Sequence, residues 1–220
     1  MTDELERYIL DHIDGEDDCL YELYRATNVH LLYGRMASGH LQGRLLKLLV
    51  ELAKPQNIVE IGTFSGYSAI CMAQGLAALQ NPSSRLITFE INDELEDFTR
   101  GWIEKSGLSH LIDFRIGDAL TEIPKLGMKF DFAFMDGDKR KYPEYYEMLM
   151  GVMNKGGLIV ADNTLWDGHV LDTPEPNARH KDQQTVGIQR FNDIVAADDR
   201  VEKVILPLRD GLTLIRRLDG

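Results

Sequence analysis

The chain alternates short apolar runs with longer helical segments, and this alternation restricts the fold more than any other feature. The runs NIVEIG (57–62), RLITFE (85–90) and FDFAFMD (130–136) are each followed by a segment of helical character. Repeated strand–helix units with short connections predict a mostly parallel sheet with helices on both faces. We therefore expect an α/β fold over residues 55–220.

The two ends of the chain depart from this alternation. The runs VEKVILPL (201–208) and GLTLIRR (211–217) flank RDG, a turn signal, and predict an antiparallel hairpin at one edge of the sheet. Residues 1–54 predict three helices. The third carries a stripe of leucines at helical spacing and ends before Pro55.

No repeat or flexible linker interrupts the chain, so we expect a single domain, residues 1–220. The long polar segment 166–182 is typical of a lid or of a disordered loop. Further strands are expected at 111–117 and 156–162, and helices at about 2–13, 20–28, 38–53, 66–79, 93–106, 119–124, 142–153 and 183–197.

Composition narrows the possible partners. The 220 residues carry a formal net charge of −12, which argues against binding to nucleic acid or to an anionic membrane, because both need a basic face. No signal peptide or membrane-spanning segment is recognisable. The two cysteines, Cys19 and Cys71, form no disulfide framework. A cytoplasmic location is the resulting expectation.

The stretch VEIGTFSGYS (59–68) places Gly62 and Gly66 between a strand and a helix. Such a turn lets the backbone approach a ligand, or it packs a strand tightly against a helix. The dinucleotide fingerprint G-x-G-x-x-G is absent. Glu90, at the next strand end, can accept hydrogen bonds from ribose hydroxyls or can be a solvated carboxylate. Together these residues favour an adenosine-containing ligand. Asp118, after the third strand, can cap a helix and also face that ligand.

Polar side chains follow the fourth and fifth strands. Asp136 and Asp138 come after FDFAFM, Asp162 is the last residue of GGLIVAD, and Asn163 follows it. Neighbouring parallel strands end at one edge, so three of these oxygen donors can converge on a hard cation such as Mg²⁺, Mn²⁺ or Ca²⁺. The alternative is two separate turns, because DGDK and DNT are both common turn sequences.

Three motifs carry a family resemblance. EIGTFSGYS (60–68), FMDGDKRKYPEYY (134–146) and GGLIVADNTLWDG (156–168) resemble the cation-dependent, S-adenosylmethionine-using O-methyltransferases of the caffeoyl-CoA and catechol group. The resemblance extends from about Leu5 to Arg217. It implies a Rossmann-like class I methyltransferase fold whose last strands include a reversed one.

The resemblance also implies roles for individual residues. Asp136, Asp162 and Asn163 match the metal ligands, and Lys139 matches a catalytic base. The alternative for Lys139 is an exposed lysine beside acidic residues. The positions that match the S-adenosylmethionine site are Ser38, Glu60, Gly62, Phe64, Tyr67, Ser68, Glu90, Asp118, Ala119 and Asp138.

The expected function is therefore methyl transfer to a hydroxyl of a catechol-type or hydroxycinnamoyl-type small molecule, by an enzyme that forms a homodimer. The alternatives are a methyltransferase for RNA or protein, a nicotinamide-dependent oxidoreductase, and a catalytically idle cofactor-binding module. The net charge weighs against RNA, and the missing glycine fingerprint weighs against nicotinamide.

Overall fold

The computed structural model describes residues 3–172 and 182–218. The chain divides into two compact units: residues 1–56 with 63–117, and residues 57–62 with 118–220. Part of the predicted lid or disordered loop, residues 173–181, lies outside the described residues.

The elements lie where the alternation predicts them. The helices are α1 (Asp3–Asp11), α2 (Asp18–His30), α3 (Gly39–Ala53), α4 (Tyr67–Leu79), α5 (Glu96–Lys105), α6 (Ala119–Lys125), α7 (Tyr142–Val152) and α8 (Gln183–Ala197). The strands are β1 (Asn57–Ile61), β2 (Arg85–Glu90), β3 (Ile112–Ile116), β4 (Phe130–Met135), β5 (Met153–Asp162), β6 (Val201–Leu206) and β7 (Leu212–Arg217). Short 3₁₀ turns cover Gly34–Met36, Asp93–Leu95, Lys139–Lys141 and Trp166–Leu171.

The seven strands form one sheet in the order β3-β2-β1-β4-β5-β7-β6. The pairs β2–β3, β1–β4 and β4–β5 are parallel, while β5–β7 and β6–β7 are antiparallel. The predicted α/β class and the C-terminal antiparallel hairpin are therefore confirmed.

Within the first unit, α3 packs closely against α4 through glycines. A Cβ at Gly43 would lie 2.6 Å from the sulfur of Cys71, and one at Gly75 would lie 2.9 Å from Val50. The buried face of α3 therefore includes Gly43, Leu46 and Val50. The predicted leucine stripe is not that face, since two of its members, Leu48 and Leu52, are exposed. Apolar periodicity does not reveal that a glycine brings two helix backbones together.

Within the second unit, α7 and α8 meet through aromatic rings. The ring of Phe191 lies edge-on to Tyr142, with 5.4 Å between centroids, and to Tyr146, with 5.9 Å. All three side chains are fully buried. The end of α8 adds a polar clamp: the Asp198 carboxylate accepts hydrogen bonds from Arg200 at 2.6 Å and from the Tyr146 hydroxyl at 2.8 Å.

Because of this clamp, we expect the free energy of unfolding to depend on pH. The Arg200 hydrogen bond is the main cause that holds the pKa of Asp198 well below its usual range. Because the folded-state pKa is lowered, the stabilisation is present above the unfolded-state pKa of about 4 and is lost as the pH falls through the folded-state pKa. Asp198→Asn should therefore lower the free energy of unfolding by about 1–2 kcal/mol at pH 7.

Urea unfolding at pH 7 and at pH 3 measures this effect, and the difference between wild type and Asp198→Asn should shrink at the lower pH. Asp199→Asn, which changes an exposed neighbour, is the control and should behave as wild type at both values. If Asp198→Asn lowers the free energy of unfolding equally at pH 7 and pH 3, the carboxylate charge does not contribute to stability.

Candidate active site

The pairing of β4 with β5 brings two carboxylates together. Met135 pairs with Ala161 in parallel register, so Asp136 and Asp162 come next on adjacent strands. Asp162 is 4% exposed. Its Oδ1 accepts a hydrogen bond at 2.8 Å from the backbone N–H of Asn163, whose left-handed φ of 57° turns the chain away from the sheet. The two strand ends thus form one acidic cluster in the second unit.

Lys139 lies against this cluster. Its Nζ is 2.5 Å from Oδ1 of Asp136, and the residue is only 8% exposed. Burial, opposed by Lys139 and reinforced by Asp162, raises the pKa of Asp136 to about 6. The alternative prediction for Lys139, an exposed lysine, is wrong, because the 3₁₀ turn at Lys139–Lys141 directs the side chain inward.

A buried tyrosine connects Lys139 to the end of β5. The Lys139 ammonium donates to the hydroxyl of Tyr142 at 2.8 Å, and that hydroxyl lies 2.9 Å from the carbonyl oxygen of Asp162, to which it donates. Burial, the largest cause, and the nearby carboxylates of Asp136 and Asp162 raise the pKa of Tyr142 well above its usual value. Tyr142 therefore stays protonated and bridges the lysine and the second strand end.

The hairpin turn between β6 and β7 supplies a residue that sequence reasoning missed. Oδ2 of Asp210 accepts a hydrogen bond from Nδ2 of Asn163 at 3.3 Å, and Oδ1 accepts one from the backbone N–H of Asp167. Burial raises the pKa of Asp210. The RDG sequence indicated only a turn. The antiparallel pairing of Asp162 with Leu212 is what brings this turn beside Asn163.

Gly62 allows β1 to approach the end of β4. The backbone N–H of Asp136 donates to the carbonyl of Ile61 at 2.9 Å. Gly62 has a φ of 93°, and a Cβ there would overlap the carbonyl oxygen of Asp136. The glycine is therefore required by both its backbone conformation and its contact.

In the first unit, Glu90 organises the loop that follows Gly62. Its Oε2 accepts from the backbone N–H of Phe64 at 2.8 Å, and its Oε1 accepts from that of Asn92 at 2.9 Å. Phe64 has a left-handed φ of 48°, and its carbonyl accepts from the Thr99 hydroxyl at 2.6 Å. Nearby, the buried hydroxyl of Ser65 has no hydrogen-bond partner among the described residues.

Comparisons with known proteins identify the family. An O-methyltransferase family model matches residues 11–218. Tricin synthase 2 of Oryza sativa subsp. japonica is 35% identical over 226 residues, covering 99% of this chain and 76% of that protein. This chain belongs to the O-methyltransferase family.

Two further relatives support the family assignment. Caffeoyl-CoA O-methyltransferase 2 of Petunia hybrida is 34% identical, covering 99% of this O-methyltransferase and 92% of that protein. The crystal structure of TomG from Streptomyces achromogenes, in complex with S-adenosylmethionine (SAM), has a TM-score of 0.87 at 28% identity and covers 99% of this chain and 100% of that one. The predicted class, a SAM-dependent O-methyltransferase, is confirmed, and the nicotinamide alternative is not supported.

Several predicted SAM-site residues also have structural roles in this O-methyltransferase. The Tyr67 hydroxyl donates to Glu16, so the side chain serves the packing of the N-terminal helices. Asp118 caps α6 by accepting from the N–H of Leu120 at 3.0 Å. The other predicted positions lie in or beside regular elements: Ser38 precedes α3, Glu60 is buried in β1, Ser68 is buried in α4, and Ala119 begins α6.

Asp138 lies directly before the 3₁₀ turn, and Arg140 holds its carboxylate. Its carboxylate accepts from the Arg140 side chain at 2.6 Å and from the Arg140 backbone N–H at 3.1 Å. Arg140, whose own side chain is exposed, thus fixes Asp138. The Nζ of Lys141 lies 3.3 Å from Oδ2 of Asp118.

Gly62→Ala should destabilise the protein, because the methyl group adds a clash with Asp136 to the cost of a left-handed alanine. We expect a loss of about 1–2 kcal/mol from the backbone and a further 1–3 kcal/mol from the overlap. Denaturant unfolding measures the sum.

Gly156→Ala is the matched control, since Gly156 also has a positive φ, 76°, but an added Cβ would meet no atom of the described residues within 4 Å. Gly156→Ala should lose only the free energy of unfolding that a left-handed alanine costs, about 1–2 kcal/mol. If both variants lose the same free energy, the contact between β1 and the end of β4 has no energetic weight.

Proposed function

We propose that this O-methyltransferase moves the methyl group of SAM to a hydroxyl of a catechol-type or hydroxycinnamoyl-type small molecule, with a divalent cation held at the acidic cluster. The observation that carries the proposal is that Asp136, Asp162 and Asn163 stand at the ends of two paired parallel strands, with the buried Lys139 in contact with Asp136. The name of the Petunia hybrida relative, a caffeoyl-CoA O-methyltransferase, supports a hydroxycinnamoyl acceptor.

The reaction is a single displacement. The acceptor oxygen forms a bond to the methyl carbon of SAM while the carbon–sulfur bond breaks, and the sulfur keeps the electron pair as S-adenosylhomocysteine leaves. The acceptor hydroxyl must lose its proton to a base. Positioning of the two reactants therefore contributes most of the rate enhancement that this mechanism requires.

The donor set fits a hard divalent cation. Within residues 3–172 and 182–218, no three His, Cys, Asp or Glu side chains cluster as metal ligands, and the third donor here is instead the amide of Asn163. Because its nitrogen donates to Asp210, its oxygen is the atom left for a cation. Two carboxylates and an amide oxygen suit Mg²⁺, Mn²⁺ or Ca²⁺. A bound divalent cation lowers the pKa of a hydroxyl that it contacts.

Lys139 is the proposed base. Its Nζ lies between Asp136 and the Tyr142 hydroxyl, and this pair of contacts fixes where the ammonium or amine can stand. As the neutral amine, Lys139 would take the proton of the acceptor hydroxyl; as the ammonium, it would stabilise the resulting phenolate. Tyr142 would hold Lys139 without exchanging a proton itself.

A cavity lined in part by Asp210, which accepts a hydrogen bond from the proposed ligand Asn163, supports a small aromatic acceptor. It has a volume of about 430 Å³ and lies in the second unit. Its lining residues are Leu165, Asp167, Gly168, Val170, Leu171, Arg209 and Asp210. This size suits a small aromatic molecule, and the leucine and valine side chains suit its ring.

The loop of the first unit supports SAM binding. Glu90 is 8% exposed and would accept the ribose hydroxyls with oxygen lone pairs that the backbone amides leave over. The buried Ser65 hydroxyl, which has no hydrogen-bond partner within residues 3–172 and 182–218, would gain one from the ligand. In the second unit, Ala119 and Asp138 are proposed to contact the adenine and the methionine part of SAM.

Removal of the metal should abolish methyl transfer. With labelled SAM, a catechol and Mg²⁺, we expect turnover that EDTA stops and that added Mg²⁺ restores. Asp162→Ala should remove turnover and leave SAM affinity within about twofold, because it takes away a cation ligand. The control Asp113→Asn changes an exposed carboxylate on β3 and should keep full turnover. Transfer that EDTA leaves unchanged would contradict the metal requirement.

Loss of the lysine should slow chemistry more than binding. Lys139→Met should lower kcat by about 10²–10⁴-fold with little change in the KM for SAM. Tyr142→Phe should lower kcat by less, because Lys139 keeps its contact with Asp136. Tyr146→Phe removes another buried hydroxyl of α7, one that contacts Asp198, and should leave kcat unchanged. Wild-type kcat in Lys139→Met would eliminate the lysine as base.

Two other expectations stay predictions: a homodimer and a cytoplasmic location. In residues 3–172 and 182–218, no helix is long and apolar enough to cross a membrane. The exposed apolar side chains of Val29, Leu32 and Tyr33 would suit contact with a second copy.

A further inference from the structure

The hairpin turn between β6 and β7 places a carboxylate behind a proposed metal ligand. Oδ2 of Asp210 accepts from Nδ2 of Asn163 at 3.3 Å, and Oδ1 accepts from the backbone N–H of Asp167. We infer that Asp210 is the positioning residue of the metal site: it holds the Asn163 amide with its oxygen available to a divalent cation. The inference rests on the proposed metal dependence and adds the residue that selects the ligand orientation.

The chemistry of a primary amide makes such a partner necessary. The Asn163 side chain has one acceptor oxygen and one donor nitrogen at nearly equal distance from the backbone, and only the oxygen can bind a cation. A rotation of half a turn exchanges the two atoms. An ionised carboxylate accepts hydrogen bonds but donates none, so Asp210 favours the orientation that turns the nitrogen toward itself.

The backbone of the turn that carries Asp210 is held in place by hydrogen bonds to the loop after Asn163. The carbonyl of Asp210 accepts from the N–H groups of Leu165 at 2.9 Å and Trp166 at 3.2 Å. The carbonyl of Gly211 accepts from the N–H of Thr164 at 3.1 Å. The loop that follows Asn163 is thus bound to the hairpin turn at successive residues. The turn can therefore act as a rigid support for the amide.

Close packing leaves the turn little freedom to move away from this loop. Gly211 has a φ of 89°, and a Cβ there would lie 2.5 Å from the backbone nitrogen of Leu165. The Thr213 hydroxyl donates to that of Thr164 at 2.7 Å, in the buried part of the hairpin. A support of this kind is what fixes the orientation of metal ligands in proteins.

Mn²⁺ binding to the metal-free full-length protein tests the inference without any turnover. Free Mn²⁺ is followed by its electron paramagnetic resonance signal in wild type, Asp210→Ala, Asn163→Ala and the double variant. Asp210→Ala should weaken Mn²⁺ binding about 10- to 100-fold. In the Asn163→Ala background, the same substitution should change the affinity by no more than about twofold, because no amide is left to orient.

A charge control separates orientation from simple attraction. Asp167→Asn also removes one carboxylate that lines the cavity, and asparagine tolerates the left-handed φ of 49° at this position. The hydrogen bond from the Asp167 backbone to Asp210 does not need that side chain. We expect Asp167→Asn to weaken Mn²⁺ binding far less than Asp210→Ala.

The outcomes are distinct. Wild-type protein that binds no Mn²⁺ would overturn the proposed metal dependence. If wild type binds Mn²⁺, two results would overturn only the positioning role. One is an equal loss of Mn²⁺ affinity in Asp210→Ala and Asp167→Asn. The other is an equal effect of Asp210→Ala in the wild-type and Asn163→Ala backgrounds. If Asp210→Ala does not fold, Asp210→Asn replaces it. Its one oxygen can accept from the Asp167 N–H, which leaves a donor NH2 group toward Asn163, so this variant must still weaken binding more than Asp167→Asn does.

Discussion

The register of three neighbouring strands is the constraint on which the site depends. Met135 pairs with Ala161 on one side of β5, and Asp162 pairs with Leu212 on the other. A shift by one residue in either pairing would turn the strand over and send its polar end to the opposite face. The fully buried side chains of β4 make such a shift costly, because Phe132 and Phe134 would lose their places in the core.

Charge balance shapes the same region. Burial raises the pKa of Asp136, the nearby Asp162 raises it further, and Lys139 lowers it. Lys139 also donates a hydrogen bond to the uncharged hydroxyl of Tyr142. The contacts from Asp136 to Lys139 and from Lys139 to Tyr142 therefore make the burial of these side chains less costly. A divalent cation would complete the compensation that a single lysine supplies only in part.

Much of this arrangement follows from sequence patterns. Apolar runs and turn residues locate the strands, and the order of acidic residues after β4 and β5 predicts the cluster, because parallel neighbours end together. Other features depend on tertiary contacts. Gly43 decides which face of α3 is buried, and no periodicity reports that. Asp210 is distant in sequence from Asn163, and only the antiparallel return of β7 brings them together. The inward direction of Lys139 likewise needs the 3₁₀ turn.

The backbone of Asn163 limits how the site can change during evolution. Its φ of 57° suits asparagine, aspartate and glycine far better than other residues. Glycine would remove the oxygen donor, and aspartate would place a second carboxylate against Asp210. Positions 163 and 210 are thus a linked pair: an acidic residue can enter one only if it leaves the other. Homologous sequences that vary at these positions should exchange the two residue types together.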